Sequence, residues 1–539
     1  MNKKVLYSVI IAIAISTICV VLLLNKEIEQ KDVLSYSEAV INPLCNDDYL
    51  SDLKLSMQGN GLDYTNYWVQ AGTAISIITR EGITEEVEVI VDNLMNTYRR
   101  YGYFPRPPYD KYNYGWVSCM DAPIISVLSR IMYEKTGDSK YKDFTCELSG
   151  YMQEDVSRNG YIADIDDEKW LFEYADTNTS GSNGKFVLNG SLLGTLATAI
   201  IGYATEDKEL IDIVDSQTSL YKKKMSEYWY SDTSWCFYML NEKRVNPPHY
   251  IIFEIRLFIA LAEVTGDKFY SDEATRRINM LKRYYKLYVY EENGISYYNF
   301  IRNGAPHFYY IDIYNTELVF YDGKGNIIDK QRMEGRKVEN SLMHGIYDNA
   351  TNYVEWHIVP NTSWNVNMGN LYIEHIDNNM EIGTSILCDY RVEQDGMLKD
   401  DTLSILKRDL GNKRCLLIFD FEKPQNTSSD LIYTLELENL SDETFPTNII
   451  LFDSNNKSIN RYLKPIQRGK NLLIFSICGF AEQGTVDIKE IKSANLRIFT
   501  SNMQAPNAKI KIGKLRKYNN PVQFWKSYTD SNYKINWGE

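Results

Sequence analysis

Cysteine and histidine are scarce in this sequence, and neither type is grouped. The eight cysteines include no Cys-x-x-Cys pair, and the five histidines are isolated from one another. Structural zinc sites need four such ligands at short spacings, so the pattern excludes the usual zinc motifs. We therefore expect neither a structural metal nor a cofactor, although a lone Ca²⁺ held by carboxylates is left open.

Basic residues are in deficit. The chain has 58 Lys and Arg against 72 Asp and Glu, a formal net charge of −14. This balance argues against a nucleic-acid partner, because such binding depends on massed positive charge. An acidic polysaccharide would need a locally basic groove, for which the candidates are Arg99, Arg100 and Arg106. The alternative is that these arginines lie in a solvated, charged loop.

A long apolar run occurs near the N-terminus, where Val5 to Leu24 carry no charge. Such a run, at about 1.5 Å per residue, matches a bilayer core of roughly 30 Å. Lys3 and Lys4 precede it, which favours a cytoplasmic N-terminus. We expect residues 1–30 to form a membrane anchor and stalk, with the rest of the chain outside the cytoplasm. Secretion after signal cleavage is the alternative.

The first half of the sequence, over residues 45–295, has apolar residues that recur near a period of 3.6. Two similar segments, Thr136 to Asp138 and Thr265 to Asp267, each place a glycine that ends one helix before an aspartate that caps the next. Repeated helix pairs of this kind build toroids or solenoids, and we expect an incomplete α/α toroid. The predicted helices are 71–80, 84–98, 122–135, 140–156, 191–203, 208–229, 251–264 and 271–288.

After about Asn299 the period changes from 3.6 to 2, as in the predicted strands 308–314 and 318–321. We expect residues 300–520 to form one or two antiparallel β-sandwiches, the last part jelly-roll-like, that either bind carbohydrate or support the helical half. A chain of 539 residues is long enough for such a multidomain α+β protein, with anchor, toroid and sandwich in that order.

Three segments of the helical half carry aromatic and acidic side chains in loops that precede helices. They run from Tyr114 to Asp121, from Trp170 to Gly190 and from Ser234 to Glu254. The inner helix ends of a toroid surround one cavity, so we expect these segments to converge. Because tyrosine stacks on sugar rings and also hydrogen-bonds, the acid–phenol pair Glu173–Tyr174 suggests a sugar site.

Together these segments resemble the C-terminal catalytic domain of the glucuronyl C5-epimerases, which act on heparosan and related chains. The resemblance covers about 110 to 280 and consists of Gly115 to Met120, Phe172 to Tyr174, Val187 to Gly190, and Tyr238 with Tyr250. The chain departs from the family pattern in Asp121, which follows Met120, and in its β half, which follows the helices.

The resemblance implies removal of the carbon-5 proton of a uronate by a base on one face and return of a proton by an acid on the other. A cation or hydrogen-bond donor would face the carboxylate as charge builds there. An acidic polysaccharide is the implied substrate, and a homodimer is one assembly compatible with it. The implied catalytic residues are Glu173, Tyr174, Tyr238 and Tyr250, and the candidates for substrate binding are Trp116, Arg130, Arg256, Arg99 and Arg106.

Three other functions fit the same patterns. A polysaccharide lyase removes the same proton and then expels the group at carbon 4. A glycoside hydrolase needs two carboxylates across the scissile bond, for which Asp121 and Glu173 are candidates. A surface glycan-binding protein without catalysis is the third. For Arg130 and Arg256 the simpler interpretation is a salt bridge within a helix, and for Asn189–Gly190 it is a turn and helix cap.

Overall fold

The protein is a mixed helix and sheet structure, described here from a computed structural model. Residues 1–32 and 41–65 lie outside the described residues, so the expected anchor does too. No helix among the described residues is long and apolar enough to cross a membrane. The description covers 33–40, 66–181, 183–229, 235–241, 244–246, 248–282, 285–302, 315–333, 343–359, 366–376, 384–407, 414–425, 432–475, 487, 490–501, 503–518 and 534–537.

In the part of the helical half that the structure describes, four antiparallel helix pairs follow one short helix. One helix of each pair, namely α2, α4, α6 and α8, packs against its counterpart in the next pair, and these four form an inner layer. Their partners cover this layer with amphipathic faces. The helices are α1 Val33–Ser37, α2 Tyr67–Glu81, α3 Glu85–Tyr101, α4 Asp121–Thr136, α5 Ser139–Tyr151, α6 Leu188–Thr205, α7 Lys208–Lys224, α8 Pro248–Thr265 and α9 Lys268–Lys282.

The two Thr-Gly-Asp segments fold alike, as the sequence predicted. Gly137 and Gly266 both have left-handed backbones, with φ of 70° and 72°, and each ends a helix. Asp138 accepts a hydrogen bond from the amide of Lys140 at 3.0 Å, and Asp267 accepts one from Phe269 at 2.9 Å. Each segment thus ends one helix and starts the next within three residues.

A buried ion network joins α8 to α9. The Nε of Arg277 donates to Glu254 at 3.0 Å, and its Nη1 donates to Glu273. Asn246 donates to the other oxygen of Glu254 at 2.8 Å. Burial raises the pKa of Glu254 to about 7, while Arg277 acts to lower it. The carboxylate therefore depends on Arg277 to remain charged in the interior.

We expect Arg277→Met to lower the free energy of unfolding of the helical half by about 3 to 5 kcal/mol, because it leaves Glu254 buried without its cation. Chemical unfolding followed by near-ultraviolet circular dichroism measures this loss. The neighbouring Arg276→Met is the control, because Arg276 is half exposed and pairs with Glu273 at 3.5 Å. Equal losses in the two variants would contradict the prediction.

The first part of the β half is built from two four-stranded sheets, in the orders β11-β10-β7-β8 and β12-β5-β6-β9. Their faces pack together, since Trp356 of one sheet contacts Tyr285 and Phe300 of the other at ring-centroid distances of 4.8 and 5.4 Å. The strands are β5 Tyr285–Glu292, β6 Ile295–Arg302, β7 Asn315–Tyr321, β8 Ile327–Met333, β9 Met343–Ile346, β10 Tyr353–Val359, β11 Val366–Asn370 and β12 Ile373–Ile376.

The second part has a seven-stranded sheet, β15-β16-β23-β18-β21-β24 with β13 beside β23, and a five-stranded sheet, β14-β17-β22-β19-β20. Side chains of both sheets share one core. The strands are β13 Thr384–Ser385, β14 Cys388–Gln394, β15 Gly396–Lys399, β16 Thr402–Leu406, β17 Arg414–Gln425, β18 Ile432–Asn439, β19 Phe445–Asp453, β20 Ser458–Ile466, β21 Gly469–Phe475, β22 Ile491–Phe499, β23 Asn507–Tyr518 and β24 Lys534–Trp537.

The strands begin earlier than the sequence pattern predicted. The helix expected over 271–288 ends at Lys282, and β5 starts at Tyr285. The physical reason is the turn Asn293–Gly294, whose φ values of 53° and 79° suit a tight hairpin between two alternating runs. Two strand pairs, β5 with β12 and β21 with β24, are parallel rather than antiparallel. The predicted strand 308–314 lies outside the described residues.

Candidate active site

Backbone hydrogen bonds bring the three chemistry-bearing segments together. Val117 and Ala175 pair through their backbones, which joins the first segment to the second. Val187 pairs with Met239 in the same way and joins the second to the third. The site residues therefore gather at the N-terminal ends of α4, α6 and α8, while Ser234 lies outside the described residues. Small hairpins that the sequence did not predict, β1–β2 (Ile162–Ile165 and Glu168–Leu171) and β3–β4 (Phe237–Met239 and Arg244–Val245), adjoin these segments.

Glu173 lies at the centre of this group. Its Oε2 is buried and has no hydrogen-bond partner among the described residues, although the side chain as a whole is partly exposed. Burial raises the pKa of Glu173 to about 7, against the opposing effects of the Tyr174 hydroxyl, Arg106 and Lys185. A carboxyl with this pKa is well placed to exchange protons near neutral pH.

Gly190 makes room for the Glu173 carboxyl in the first turn of α6. A Cβ at this position would lie 2.1 Å from Oε2 of Glu173 and 2.5 Å from its Cδ. Glycine thus lets the carboxyl approach the helix N-terminus, where the backbone amides carry partial positive charge. The sequence suggested only a turn and cap at Asn189–Gly190, and the close approach adds a reason for glycine.

We expect Gly190→Ala to displace the Glu173 carboxyl and to lower catalytic activity at least tenfold, because small misplacements of a reacting group are costly. Steady-state kinetics on a polymeric substrate measures this effect. Gly150→Ala on α5 is the control, since a Cβ there meets nothing within 4 Å. Unchanged activity in the Gly190 variant would show that the position of the carboxyl does not matter.

Tyr174 belongs to a stack of aromatic rings. Its ring lies 5.3 Å from Trp116 and 5.5 Å from Tyr109, nearly parallel to both. Trp116 is buried beneath Tyr174, whereas Tyr109 is 52% exposed. The charge of Glu173 and then burial raise the pKa of Tyr174, which keeps its hydroxyl protonated as a donor to Glu173. Of the aromatic residues in this stack, Tyr109 is the one that offers an exposed ring to a ligand.

Tyr238 and Tyr250 follow Glu173 in the sequence and lie close to each other in the structure. Their rings are 5.8 Å apart and edge-on, and His249 lies 4.2 Å from Tyr250. Burial raises the pKa of Tyr250 to about 12, and the negative charge of Glu173 and the neighbours Tyr238 and Tyr109 add to this. Tyr250 is therefore a neutral phenol at physiological pH, within electrostatic range of Glu173.

Lys185 is the cation of this group that the sequence analysis missed. Its ammonium pairs with Asp110 and lies over the rings of Tyr174 and Tyr112, 5.4 and 5.9 Å from their centroids. Its side chain is only 11% exposed, and its charge acts to lower the pKa of Glu173. Nothing in the linear sequence marks it, because its partner lies 75 positions away.

Arg106 is nearby but already paired. Its guanidinium makes two hydrogen bonds to Asp121, which also accepts one from the amide of Trp68 at 3.1 Å. Both side chains are nearly inaccessible, 7% and 2% exposed. Burial acts to lower the pKa of Arg106, but Asp121 outweighs it and the pKa is raised. Asp121 is thus a structural partner in this arrangement and lacks the exposure that a hydrolase acid requires.

The other four predicted arginines lie farther along their helices. Arg99 and Arg100 are exposed in the last turn of α3. Arg130 pairs with Glu134 at 2.7 Å, nine residues into α4, which matches the helix salt bridge considered from sequence. Arg256 is buried in α8, with its guanidinium 5.2 Å from the ring of Phe253. Among the described residues, no group of three or more His, Cys, Asp or Glu side chains is arranged to hold a metal.

Several solved structures resemble parts of the chain. An exo-β-agarase is 12% identical over 26% of this chain and 24% of its own, with a TM-score of 0.19. An unsaturated glucuronyl hydrolase from Bacillus sp. GL1 is 13% identical over 40% and 61%, with a TM-score of 0.27. The α-mannanase of Bacteroides thetaiotaomicron is 10% identical over 49% and 74%, with a TM-score of 0.32. The chain spans about a quarter of the length of the two agarases that it matches. Similarity at this level carries no functional conclusion.

The sequence gives a firmer match. No curated protein matches the chain, but residues 96–279 match the family model described as D-glucuronyl C5-epimerase C-terminus. The matched segment begins in α3, ends in α9 and contains Glu173, Lys185 and Tyr250. The match supports an enzyme that acts on carbohydrate. Residues 96–279 are therefore similar to the C-terminal domain of the D-glucuronyl C5-epimerases, which confirms the resemblance seen in the sequence.

Proposed function

We propose that the chain is a uronate C5-epimerase, which converts D-glucuronate to L-iduronate within a heparosan-like polymer. The observation that supports this most directly is the Glu173 carboxyl, whose pKa of about 7 suits a base, placed within electrostatic range of the Tyr250 phenol. The four helix pairs then form the incomplete toroid expected from sequence. The catalytic half lies outside the membrane, held by the N-terminal anchor.

In the proposed reaction Glu173 is the base. The bond between carbon 5 and its hydrogen breaks, the proton passes to Glu173, and the electron pair delocalises into the adjacent carboxylate. The Tyr250 hydroxyl then gives its proton to carbon 5 from the opposite face, and the new carbon–hydrogen bond inverts the centre. Proton exchange with solvent returns both groups to their starting states. Tyr174 holds Glu173 in place, and Tyr238 supports Tyr250.

We assign Lys185 to the substrate carboxylate, on which a second negative charge develops during proton removal. The ammonium is oriented by Asp110 and by two aromatic faces, so little reorganisation is needed. Arg106 does not contact the substrate, because its guanidinium is paired with Asp121. It acts on the site only through its electrostatic field. The exposed ring of Tyr109 lies beside Tyr174 and is suited to stack on a sugar.

We expect Lys185→Met to lower kcat/KM about 100-fold, because one preorganised charge at a developing anion is worth about that much. The same change removes a cation that lowers the pKa of Glu173, so the acidic limb of the pH–rate profile should move to higher pH. Lys185→Arg should retain most activity. Lys142→Met, on the exposed face of α5, is the control. A loss without a shift of the pH profile would contradict the placement beside Glu173.

Incubation of heparosan with the enzyme in heavy water tests the proposed function. Deuterium at carbon 5 of both uronates, with chains of unchanged length, is the expected result by NMR. Shortened chains with a new ultraviolet-absorbing unsaturated uronate would indicate a lyase instead. Binding without either reaction would indicate a surface glycan-binding protein and would overturn the proposal.

A further inference from the structure

A second groove lies far along the chain from the proposed active site, on the seven-stranded sheet of the C-terminal half. Its volume is about 630 Å³, and β18, β21 and β23 form its floor. The register between β18 and β23 shifts between Leu435 and Leu437, which marks a β-bulge at Glu436. Gly513 faces this bulge, where a Cβ would lie 2.7 Å from the Cβ of Glu436. Bulges bend a sheet locally and often occur beside functional sites.

The floor of the groove carries a row of charges across three neighbouring strands. Glu438 pairs in register with Lys470 on one side and with Lys511 on the other. Adjacent strands are about 4.8 Å apart, so one carboxylate lies between two ammonium groups. Glu436 is half-buried and already pairs with Arg516 at 3.6 Å. The row therefore has an excess of positive charge.

The excess amounts to one positive charge, and Lys514 is the third lysine of the lining. Lys511 and Lys514 are both exposed, and Lys511 lies beside Glu438 in register. Asp401 is the other acid in the lining, which gives the groove three lysines against Asp401 and Glu438 once Glu436 is assigned to Arg516. In a chain with a net charge of −14, a locally basic groove attracts anions against the overall field.

An aromatic ring borders the same groove. Tyr390 on β14 is 37% exposed, and its ring is held edge-on against Phe419 at 5.6 Å. A partly exposed tyrosine ring held in this way can stack on the apolar face of a sugar. Charge and ring together select a ligand that is both anionic and saccharide-like.

We propose that this groove is a non-catalytic site for a carboxylate-bearing glycan, bound by Lys511 and Lys514 with Tyr390 at its edge. The choice of a uronate polymer as the ligand rests on the proposed function, whereas the charge and the ring stand independently. A chain that occupies both sites at once would be held more tightly than either site alone allows.

Calorimetry with a heparosan hexasaccharide tests the proposal on the full chain carrying Glu173→Gln, which prevents turnover. We expect two binding sites per chain, and one after Lys511→Gln and Lys514→Gln are introduced together. Long heparosan should then bind about tenfold more weakly. Lys423→Gln with Lys457→Gln, which removes two exposed lysines elsewhere in the same half, should change neither value.

Unchanged stoichiometry and affinity in the double-lysine variant would overturn the proposal. So would equal binding of carboxyl-reduced heparosan at the groove, because the groove would then not recognise charge. If the helical half binds no glycan, the parent protein should show one site that disappears in the double-lysine variant. That outcome would support the groove while removing the proposed epimerase function, so the two failures are distinguishable.

Discussion

Replacement of Glu173 by Gln should abolish measurable epimerisation, with a loss of about 1,000-fold or more in kcat. The amide keeps the shape of the side chain but cannot accept the carbon-5 proton, and a positioned base contributes about 100- to 10,000-fold. Deuterium incorporation into heparosan is the most sensitive measure, because it detects proton removal even when little product forms.

The pH dependence follows from the pKa of about 7 of Glu173 in the folded protein. The ionised carboxylate is the base, so kcat/KM should rise with pH and level off above about 7. The Tyr250 phenol, whose pKa is raised to about 12, stays protonated over the same range and should produce no basic limb below about pH 10. The pH profile of the parent enzyme checks both statements.

The same carboxyl should contribute less stability to the parent protein at neutral pH than at pH 4. The pKa is higher in the folded chain than the ordinary value of 4.5, so the folded state binds the proton more tightly. The contribution of Glu173 to stability is therefore greatest below about pH 4.5 and is lost as pH rises towards 7. Because the side chain is partly exposed, we expect a cost of about 2 kcal/mol. Glu173→Gln removes it, so the inactive variant should be the more stable protein at pH 8.

Glu227→Gln is the matched control, since Glu227 is exposed beside α7. It should leave activity and stability unchanged. If Glu173→Gln retained kcat/KM within threefold of the parent, Glu173 would not be the base. If its stability gain were equal at pH 4 and pH 8, the carboxyl would not be desolvated in the folded protein.

The helical half was the more predictable part of the fold. Helix caps depend on local contacts. The turn at Gly137 and Asp138, for example, is fixed by hydrogen bonds to residues only a few positions away. The boundary near Tyr285 was missed although Asn293–Gly294 is a strong hairpin signal, because the preceding run of Leu and Tyr residues also fits a helical period. Hydrophobic periodicity distinguishes a helix from a strand only where the run is long enough for the periods of 3.6 and 2 to place apolar residues at different positions.

The residues of the candidate site also differ in how well the sequence predicts them. Glu173, Tyr238 and Tyr250 could be named from the resemblance of their motifs to the epimerase family, and the structure places them close together, while their catalytic roles stay predictions. Lys185 could not be named, because its position depends on contacts with Asp110 and the aromatic stack. Arg106 was expected to face the substrate, but only the folded chain shows that Asp121 engages it first.

Replacement of Tyr250 by Phe should separate proton removal from inversion. Glu173 remains able to take the carbon-5 proton and to return one from solvent on the same face. We therefore expect formation of L-iduronate to fall about 100- to 1,000-fold, while deuterium still enters carbon 5 of D-glucuronate with retained configuration. NMR of heparosan in heavy water distinguishes the two uronates and reports both quantities in one sample.

Tyr203→Phe provides the control, since this tyrosine is 37% exposed near the end of α6. A merely structural role for Tyr250 would lower exchange and inversion together and would reduce stability, whereas a lost proton donor lowers inversion alone. If instead Tyr250→Phe stopped exchange into D-glucuronate and Glu173→Gln allowed it, the two roles would be reversed. The phenol would then be the base despite its raised pKa, and the field of Lys185 and Arg106 would have to stabilise its anion.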